Sequence, residues 1–367
     1  MKKLVAALLA AVLLFCLFGC GEAPALPQET TVPEEELTGP VIAICLPEES
    51  AFWQSVAIRL EIHLQTGNYR TQVQYAENNP QLQAQQLRAL AEAQVGGLVI
   101  TPVDAMALSD ELLAVKNAGI PVVAFDRLPL GTQWVDALVT FDYMDMGRRV
   151  GEYIVENKAL ETAEGESRSY NIELFMGSAE DHTALLFHTG LMRALQPYLD
   201  AGVLKCPSGR TSFADTYILL SDPAVAGQKL TATLENFYSK KTLDIVCFAT
   251  DDMASGCKDI LAAYSEGKVI TPLVTGVGGG LTGLQQIVDG TQTVTVYQDY
   301  DALATSCAQV VDDLLSQRGV TADAFIDNHA LEVPALLQPV QIVDSENYQA
   351  LLIDTGIYSV EDLNIPE

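Results

Sequence analysis

Positive charge is scarce in this chain. It sets 20 Lys and Arg against 48 Asp and Glu, and the formal net charge is −28 over 367 residues. A surface of that sign repels phosphate backbones and anionic lipid head groups, so nucleic acid is not an expected partner. Histidine is rarer still, with 4 in all. No Cys/Cys or Cys/His pair stands at zinc-site spacing, and no run of acids has the spacing of a calcium loop, which argues against a bound metal. Catalytic signatures are missing too: there is no Gly-x-Ser-x-Gly elbow, no His-Glu-x-x-His and no kinase set. Asp251 and Asp252 are consecutive, so their carboxylates diverge where a hydrolase needs two flanking one bond. The expectation is a protein that is not an enzyme and carries no cofactor. Apolar runs long enough to cross a bilayer are absent as well, because the N-terminal one, Leu4 to Phe18, falls short of the roughly 20 residues a spanning helix needs.

That N-terminal run has the layout of an export signal. Met1-Lys2-Lys3 is a short positive flank, and the small residue Gly19 precedes Cys20, so residues 1–19 read as a signal peptide. Leu17-Phe18-Gly19-Cys20 resembles the lipobox of bacterial lipoproteins. The resemblance implies acylation of Cys20 and an extracytoplasmic protein held to the cell membrane by lipid. Residues 20–39 read as a tether, since Gly21 to Pro40 contains 4 prolines and 5 glutamates and no apolar periodicity from which to build a core. Of the seven cysteines, Cys16 leaves with the signal. Cys45 and Cys247 lie inside apolar runs and are expected as small buried hydrophobes.

From Val41 onward one rhythm repeats. Short apolar runs at Val41–Leu46, Gly97–Thr101, Pro121–Phe125, Leu138–Phe141, Asn171–Met176, Asp244–Ala249, Thr271–Thr275 and Thr293–Tyr297 read as strands buried on both faces. Between most of them lie helical spacings, at Phe52–Leu64, Gln81–Gln94, Leu108–Ala118, Ala184–Tyr198, Gln228–Tyr238 and Ala302–Leu315. Such alternation predicts an α/β fold with parallel sheets and helices on both faces. Roughly 330 residues exceed what one core usually serves, so two lobes are expected. Ligands of these sheets gather at the carboxyl ends of the strands, which directs attention to the loops there.

Those loops carry a resemblance. Pro121-Val122-Val123-Ala124-Phe125-Asp126-Arg127, Val139-Thr140-Phe141-Asp142, Gly177-Ser178-Ala179-Glu180-Asp181, Asp222-Pro223-Ala224-Val225-Ala226 and Ala249-Thr250-Asp251-Asp252-Met253-Ala254 follow in order. With Val294-Thr295-Val296-Tyr297-Gln298-Asp299 and the tail from Val333 to Val340, they resemble the type I periplasmic binding proteins of sugar ABC importers, in the xylose-type and multiple-sugar-binding branch. The resemblance implies two Rossmann-like lobes joined by three hinge crossings, near Asp142, Gln298 and Val333. The first lobe would be residues 40–142 plus 299–332 and the second 143–298 plus 333–367. It implies a monomer that captures a small polar ligand, a sugar, between the lobes and hands it to an ABC permease. The alternative is a sensor that presents a sugar or another ligand to a membrane histidine kinase or chemoreceptor.

The same resemblance nominates site residues. Ser50, Phe52 and Trp53 follow the first strand, where a ring stacks on the C–H face of a sugar; both rings also suit a core anchor. Asp126 accepts hydroxyl protons and Arg127 donates in a fixed geometry, although the pair alone would also read as a surface ion pair. Adjacent strand residues face opposite ways, so both can reach one ligand only where the strand turns into a loop. Tyr143, His182, Thr250, Asp251 and Gln298 occupy polar positions of the cleft, with Asp251 equally suited to cap the helix predicted over Met253–Tyr264. Two departures stand out: Gly278 replaces a family carboxylate, and Ser221 replaces a stacking aromatic. The N–H groups of Gly278 to Gly280 would either receive an anionic or carbonyl group at the start of the helix Leu281–Val288 or simply form its capping turn.

Overall fold

The computed structural model describes residues 37–163, 165–267 and 271–363. The expected signal peptide, Cys20 and most of the expected tether lie outside the described residues. Thr38–Glu367 forms a compact unit of its own.

Two sheets organise that unit. The first has the order β2-β1-β3-β4-β5-β12-β11, with β1 Val41–Leu46, β2 Arg70–Tyr75, β3 Gly97–Ile100, β4 Val122–Phe125, β5 Ala137–Phe141, β11 Ala324–Asp327 and β12 Glu332–Gln338. The second has the order β7-β6-β8-β9-β10-β13, with β6 Tyr170–Phe175, β7 Leu204–Lys205, β8 Ile245–Phe248, β9 Leu273–Thr275, β10 Val294–Gln298 and β13 Val340–Asp344. All neighbours pair parallel except β11 with β12 and β10 with β13. Each sheet begins with the same doubly wound order, its chain reversing direction of travel between the first and third strands.

The strands that were plain in the sequence are those with two buried faces. In β1, Ile42, Ile44 and Leu46 join one core cluster while Ala43 and Cys45 join another, so the strand reads as unbroken hydrophobe. The edge strand β2, Arg-Thr-Gln-Val-Gln-Tyr, keeps exposed or half-buried polar residues along its length and gives no such signal. Cys45, Cys247, Cys257 and Cys307 are buried and Cys206 is half-buried, all as free thiols.

The helices begin where strand-end loops supply a cap. Ser50 caps α1 (Ala51–Thr66), and Asn79 with Pro80 opens α2 (Pro80–Ala93). After α3 (Ser109–Asn117), Asp142 caps α4 (Tyr143–Asn157) and Asp181 caps α5 (His182–Asp200). Asp222 caps α6 (Pro223–Phe237), Thr250 caps α7 (Asp251–Ser265), and α8 (Leu281–Val288) precedes α9 (Tyr300–Leu315), capped by Asp299. The helix α4 carries no clear apolar run in the sequence, because it buries only Met146, Gly147, Val150, Gly151 and Ile154 along one stripe.

One expected boundary moves. The resemblance puts the tail from Val333 in the second lobe, yet β12 pairs parallel with β5, Ala335 opposite Leu138 and Gln338 opposite Phe141. The chain changes sheets only at Pro339, because β13 then pairs with β10, Val340 opposite Gln298. The third crossing therefore lies between Gln338 and Val340, not near Val333. A proline there removes a ladder donor and suits the break between two sheets. The first and second crossings, at Asp142 and at Gln298-Asp299, separate β5 from α4 and β10 from α9.

Candidate functional site

Asp126 ends β4 in the left-handed region, with φ +66°. A short polar side chain tolerates that conformation better than most. The turn places Asp126 and Arg127 in one group, where strand alternation alone would send them apart. The backbone N–H of Asp126 still donates to Val139 O at 2.8 Å, and Thr140 Oγ1 donates to its carbonyl at 2.6 Å, so the turn is anchored to β5.

The Asp126 carboxyl is 4 % exposed. Its Oδ1 accepts from the Tyr143 hydroxyl and, at 3.5 Å, from the Tyr300 hydroxyl. Gln298 Nε2 donates to the Tyr143 oxygen at 3.3 Å. Burial pushes the Asp126 pKa up to about 6 against the restraint of the Arg127 charge and the Tyr143 hydrogen bond. Tyr143 and Tyr300 are pushed well above the usual phenol range, first by burial and then by the Asp126 charge, so both stay neutral donors.

Arg127 reaches the second lobe. Its Nε lies 3.0 Å from Asp181 Oδ2, an ion pair between the end of β4 and the cap of α5. The Nε atom is buried and makes no hydrogen bond, so its contact with the carboxylate is ionic. The guanidinium stands 5.5 Å from the Trp53 ring centroid. Burial would lower the Arg127 pKa, but Asp181 and Asp126 outweigh it and raise it.

The aromatic residues divide. Trp53 is 3 % exposed, belongs to the core and offers its ring to Arg127. Phe52 is 47 % exposed and sets its edge against Trp53 and Tyr300, with centroids 4.9 and 5.0 Å away. Tyr300 also packs on Phe141 at 5.2 Å, tying the cluster to the first hinge crossing. Ser50 is occupied as a helix cap, its hydroxyl accepting from Trp53 N at 3.4 Å.

On the second lobe the half-buried His182 ring lies 6.5 Å from that of His329, which belongs to the first lobe. Burial and the His329 charge lower the His182 pKa. Three expectations need correction here. Thr250, not Asp251, caps α7, accepting from Met253 N at 3.1 Å. Asp251 points away from a cleft role: it is 5 % exposed, and its two oxygens accept from Gln292 Nε2 at 2.7 Å, Gly279 N at 2.8 Å and Thr295 Oγ1 at 2.7 and 2.9 Å. Those bonds also answer the glycine loop. Gly278 N donates to Val296 O at 2.9 Å and Gly279 N to Asp251, so neither N–H is free for an anion, and the capping-turn alternative fits. Ser221, the second departure from the resemblance, accepts from Ser178 N at 3.0 Å.

The structure thus gathers Asp126, Arg127, Trp53, Phe52, Tyr143 and Gln298 of the expected residues, and adds Tyr300 and Asp181. Asp181 was visible as an acid ahead of an apolar helix, the signature of a cap. Tyr300 follows the hinge pair Gln298-Asp299, and nothing but that adjacency marked it.

Two doubly wound lobes, exchanging chain three times and meeting at a buried charged cluster on the carboxyl ends of their strands, define the class of two-lobed binding proteins. The family model described as periplasmic binding protein domain matches residues 42–319, and the chain belongs to that family, which implies a place outside the cytoplasm. It is 33% identical over 325 residues to the multiple sugar-binding periplasmic protein SbpA of Azospirillum brasilense, covering 87% of this chain and 90% of that protein. A solute-binding protein of an ABC transporter from Clostridium phytofermentans, with bound β-D-glucose, superposes with a TM-score of 0.80 at 29% identity over 88% of this chain and 99% of that one. A carbohydrate transporter solute-binding protein of Chloroflexus aurantiacus, in complex with D-glucose, gives 0.79 at 26% identity over 89% and 98%.

Proposed function

We propose that this chain is the ligand-capture lipoprotein of an ABC importer, that it is a monomer without catalytic activity, and that it closes on a neutral monosaccharide between its lobes. The observation that carries the reading is the Asp126-Arg127 pair, held at a strand end, with the exposed ring of Phe52 set against Tyr300, whose hydroxyl donates to Asp126. A buried carboxylate accepts hydroxyl protons, a guanidinium donates to hydroxyl oxygens, and a ring covers an apolar sugar face. Gln298 and His182 supply further polar contacts from the second lobe. The glucose in the two solved relatives and the sugar-binding description of the Azospirillum protein support the choice of ligand class. Delivery then follows from hinge closure, which presents one docking shape to a permease when ligand is bound.

Thermal unfolding of Thr38–Glu367 against pentoses, hexoses, sugar acids, polyols and nucleosides tests this. A ligand at 100 times its dissociation constant stabilises by about 2.7 kcal/mol. A selective upward shift with a neutral aldose, lost in Arg127→Ala, is the expected outcome. A shift only with a nucleoside or a sugar acid would refute the ligand class.

A further inference from the structure

The same two residues follow two of the three crossings. Asp142-Tyr143 comes directly after β5, and Asp299-Tyr300 directly after β10. In each, the aspartate caps the helix: Asp142 accepts from Asp145 N at 2.9 Å, and Asp299 accepts from Asp301 N at 3.1 Å and Ala302 N at 3.0 Å. The tyrosine is then the first helical residue, in a place the cap fixes. Both rings lie edge-on to Phe141, with centroids 6.4 and 5.2 Å away, and both hydroxyls donate to one atom, Asp126 Oδ1. Gln298 Nε2 donates to the Tyr143 oxygen at 3.3 Å, which leaves that phenol's own proton for the carboxylate. Among the described residues none donates to Asp126 Oδ2. Each tyrosine stands one residue past a crossing, where a hinge rotation displaces atoms least.

We propose that Tyr143 and Tyr300 are positioning residues for Asp126: their paired phenols hold the carboxylate by Oδ1, supply the donors its buried charge needs, and leave Oδ2 as the atom that accepts a ligand hydroxyl. This rests on the reading of Asp126 as a ligand acceptor. A buried carboxylate without donors neutralises, and a neutral carboxyl accepts poorly. Two phenols give it donors and bring no charge of their own, since burial and the Asp126 charge keep both protonated. Committing one oxygen to the protein also sets specificity: the carboxylate takes a single ligand hydroxyl at Oδ2, not a vicinal pair across both oxygens. The hydrogen bonds from Tyr143 and Tyr300 work against the burial that raises the Asp126 pKa to about 6, so removing either hydroxyl moves that titration upward.

Tyr143→Phe and Tyr300→Phe in Thr38–Glu367 test it, since each removes one oxygen and keeps the ring. Tyr238→Phe is the control: it deletes a phenol that donates to another buried carboxylate, Glu173, at 2.9 Å. The first measurement needs no ligand. NMR titration of the side-chain carboxyl carbons, with Asp126→Asn to assign the signal, should find the Asp126 midpoint higher by about one pH unit in Tyr143→Phe, the shift that loss of one hydrogen bond to a charged group gives. It should rise by less in Tyr300→Phe, whose hydroxyl donates at 3.5 Å, and stay unchanged in Tyr238→Phe. An unmoved midpoint in both Tyr143→Phe and Tyr300→Phe overturns the proposal whether or not any sugar binds. The second measurement is D-glucose affinity by titration calorimetry across the same pH range. Tyr143→Phe should bind about fivefold more weakly than the unmodified protein near pH 6 and equally well above about pH 8, the pattern of a one-unit shift in a single-proton linkage. A deficit of the same size at every pH would make the phenol a direct ligand contact and overturn the positioning role. If D-glucose binds none of the proteins while the Asp126 midpoint moves, the sugar reading fails and the placing of Asp126 by the two phenols stands.

Discussion

Asp126 combines a left-handed backbone, full burial and a carboxyl titrating near neutrality, and each has a consequence for function. Burial holds the proton on, so the folded carboxyl has a pKa of about 6 against an ordinary 3.8. Between those values the folded protein keeps a proton that the unfolded chain has released. The contribution of this group to stability therefore falls as pH rises from 3.8 to about 6 and is flat beyond. Ligand binding should run the other way. A protonated carboxyl accepts hydroxyls poorly, so affinity should be constant above pH 7 and drop by about tenfold per pH unit well below 6, the slope of a single-proton linkage. Calorimetric titration from pH 4.5 to 8 checks this, and an affinity independent of pH across that range would show that Asp126 does not receive the ligand. Asp251 shows the opposite use of a buried acid. It is desolvated as fully, but Gln292, Thr295 and Gly279 satisfy it, and it serves to hold β10 against the loop that opens α8.

At the scale of elements, α4 and α5 pack at a spacing set by two glycines. A Cβ at Gly190 would lie 1.9 Å from Met144 O, and one at Gly147 would lie 1.9 Å from Phe187 O. Both obstacles are backbone, which cannot rotate out of the way as a side chain can. Gly190→Ala should therefore push α4 from α5 and cost about 1–3 kcal/mol or more of stability, as overpacking does, despite the better helix propensity of alanine. Denaturant unfolding measures the loss. A stabilised Gly190→Ala would show that the two helices are not in backbone contact. Because Tyr143 starts α4 and Asp181 caps α5, the same substitution should also disturb ligand affinity, by moving the partners of Asp126 and Arg127 at once.

For the whole molecule, the three crossings set how the two sheets are joined. A continuous apolar cluster includes Phe125 and Val139 of the first sheet, Phe175 and Val296 of the second, and Val340 after the third crossing, so the two lobes share a core. The proposed lipid anchor at Cys20 makes a prediction of its own. Cys20→Ala should move the exported protein from the membrane fraction to the soluble one, and mass spectrometry of the native N-terminus should find acyl chains on Cys20. Soluble protein with an unmodified Cys20 would overturn the lipoprotein reading.

The sequence by itself determined the fold class, because strands with two buried faces and amphipathic helices announce themselves through hydrophobic spacing. It located β1, β3, β4, β5, β6, β8, β9 and β10, and the family resemblance nominated Asp126 and Arg127, a pair that alone would also read as a surface ion pair. The hydrophobic pattern did not locate β2, β7, β11, β12 or β13, and the family resemblance put the third crossing near Val333, ahead of the change of sheets at Pro339. Only the tertiary structure decided which polar groups face one another. Thr250, Asp251 and Gly278 are chemically suited to ligand, yet their hydrogen bonds are used within the second lobe. Tyr143, Tyr300 and Asp181 lie far from Asp126 or Arg127 in the chain, and a hydrogen bond or ion pair between lobes leaves no periodic trace in sequence. Pairing of that kind depends on where three crossings place two separately folded sheets.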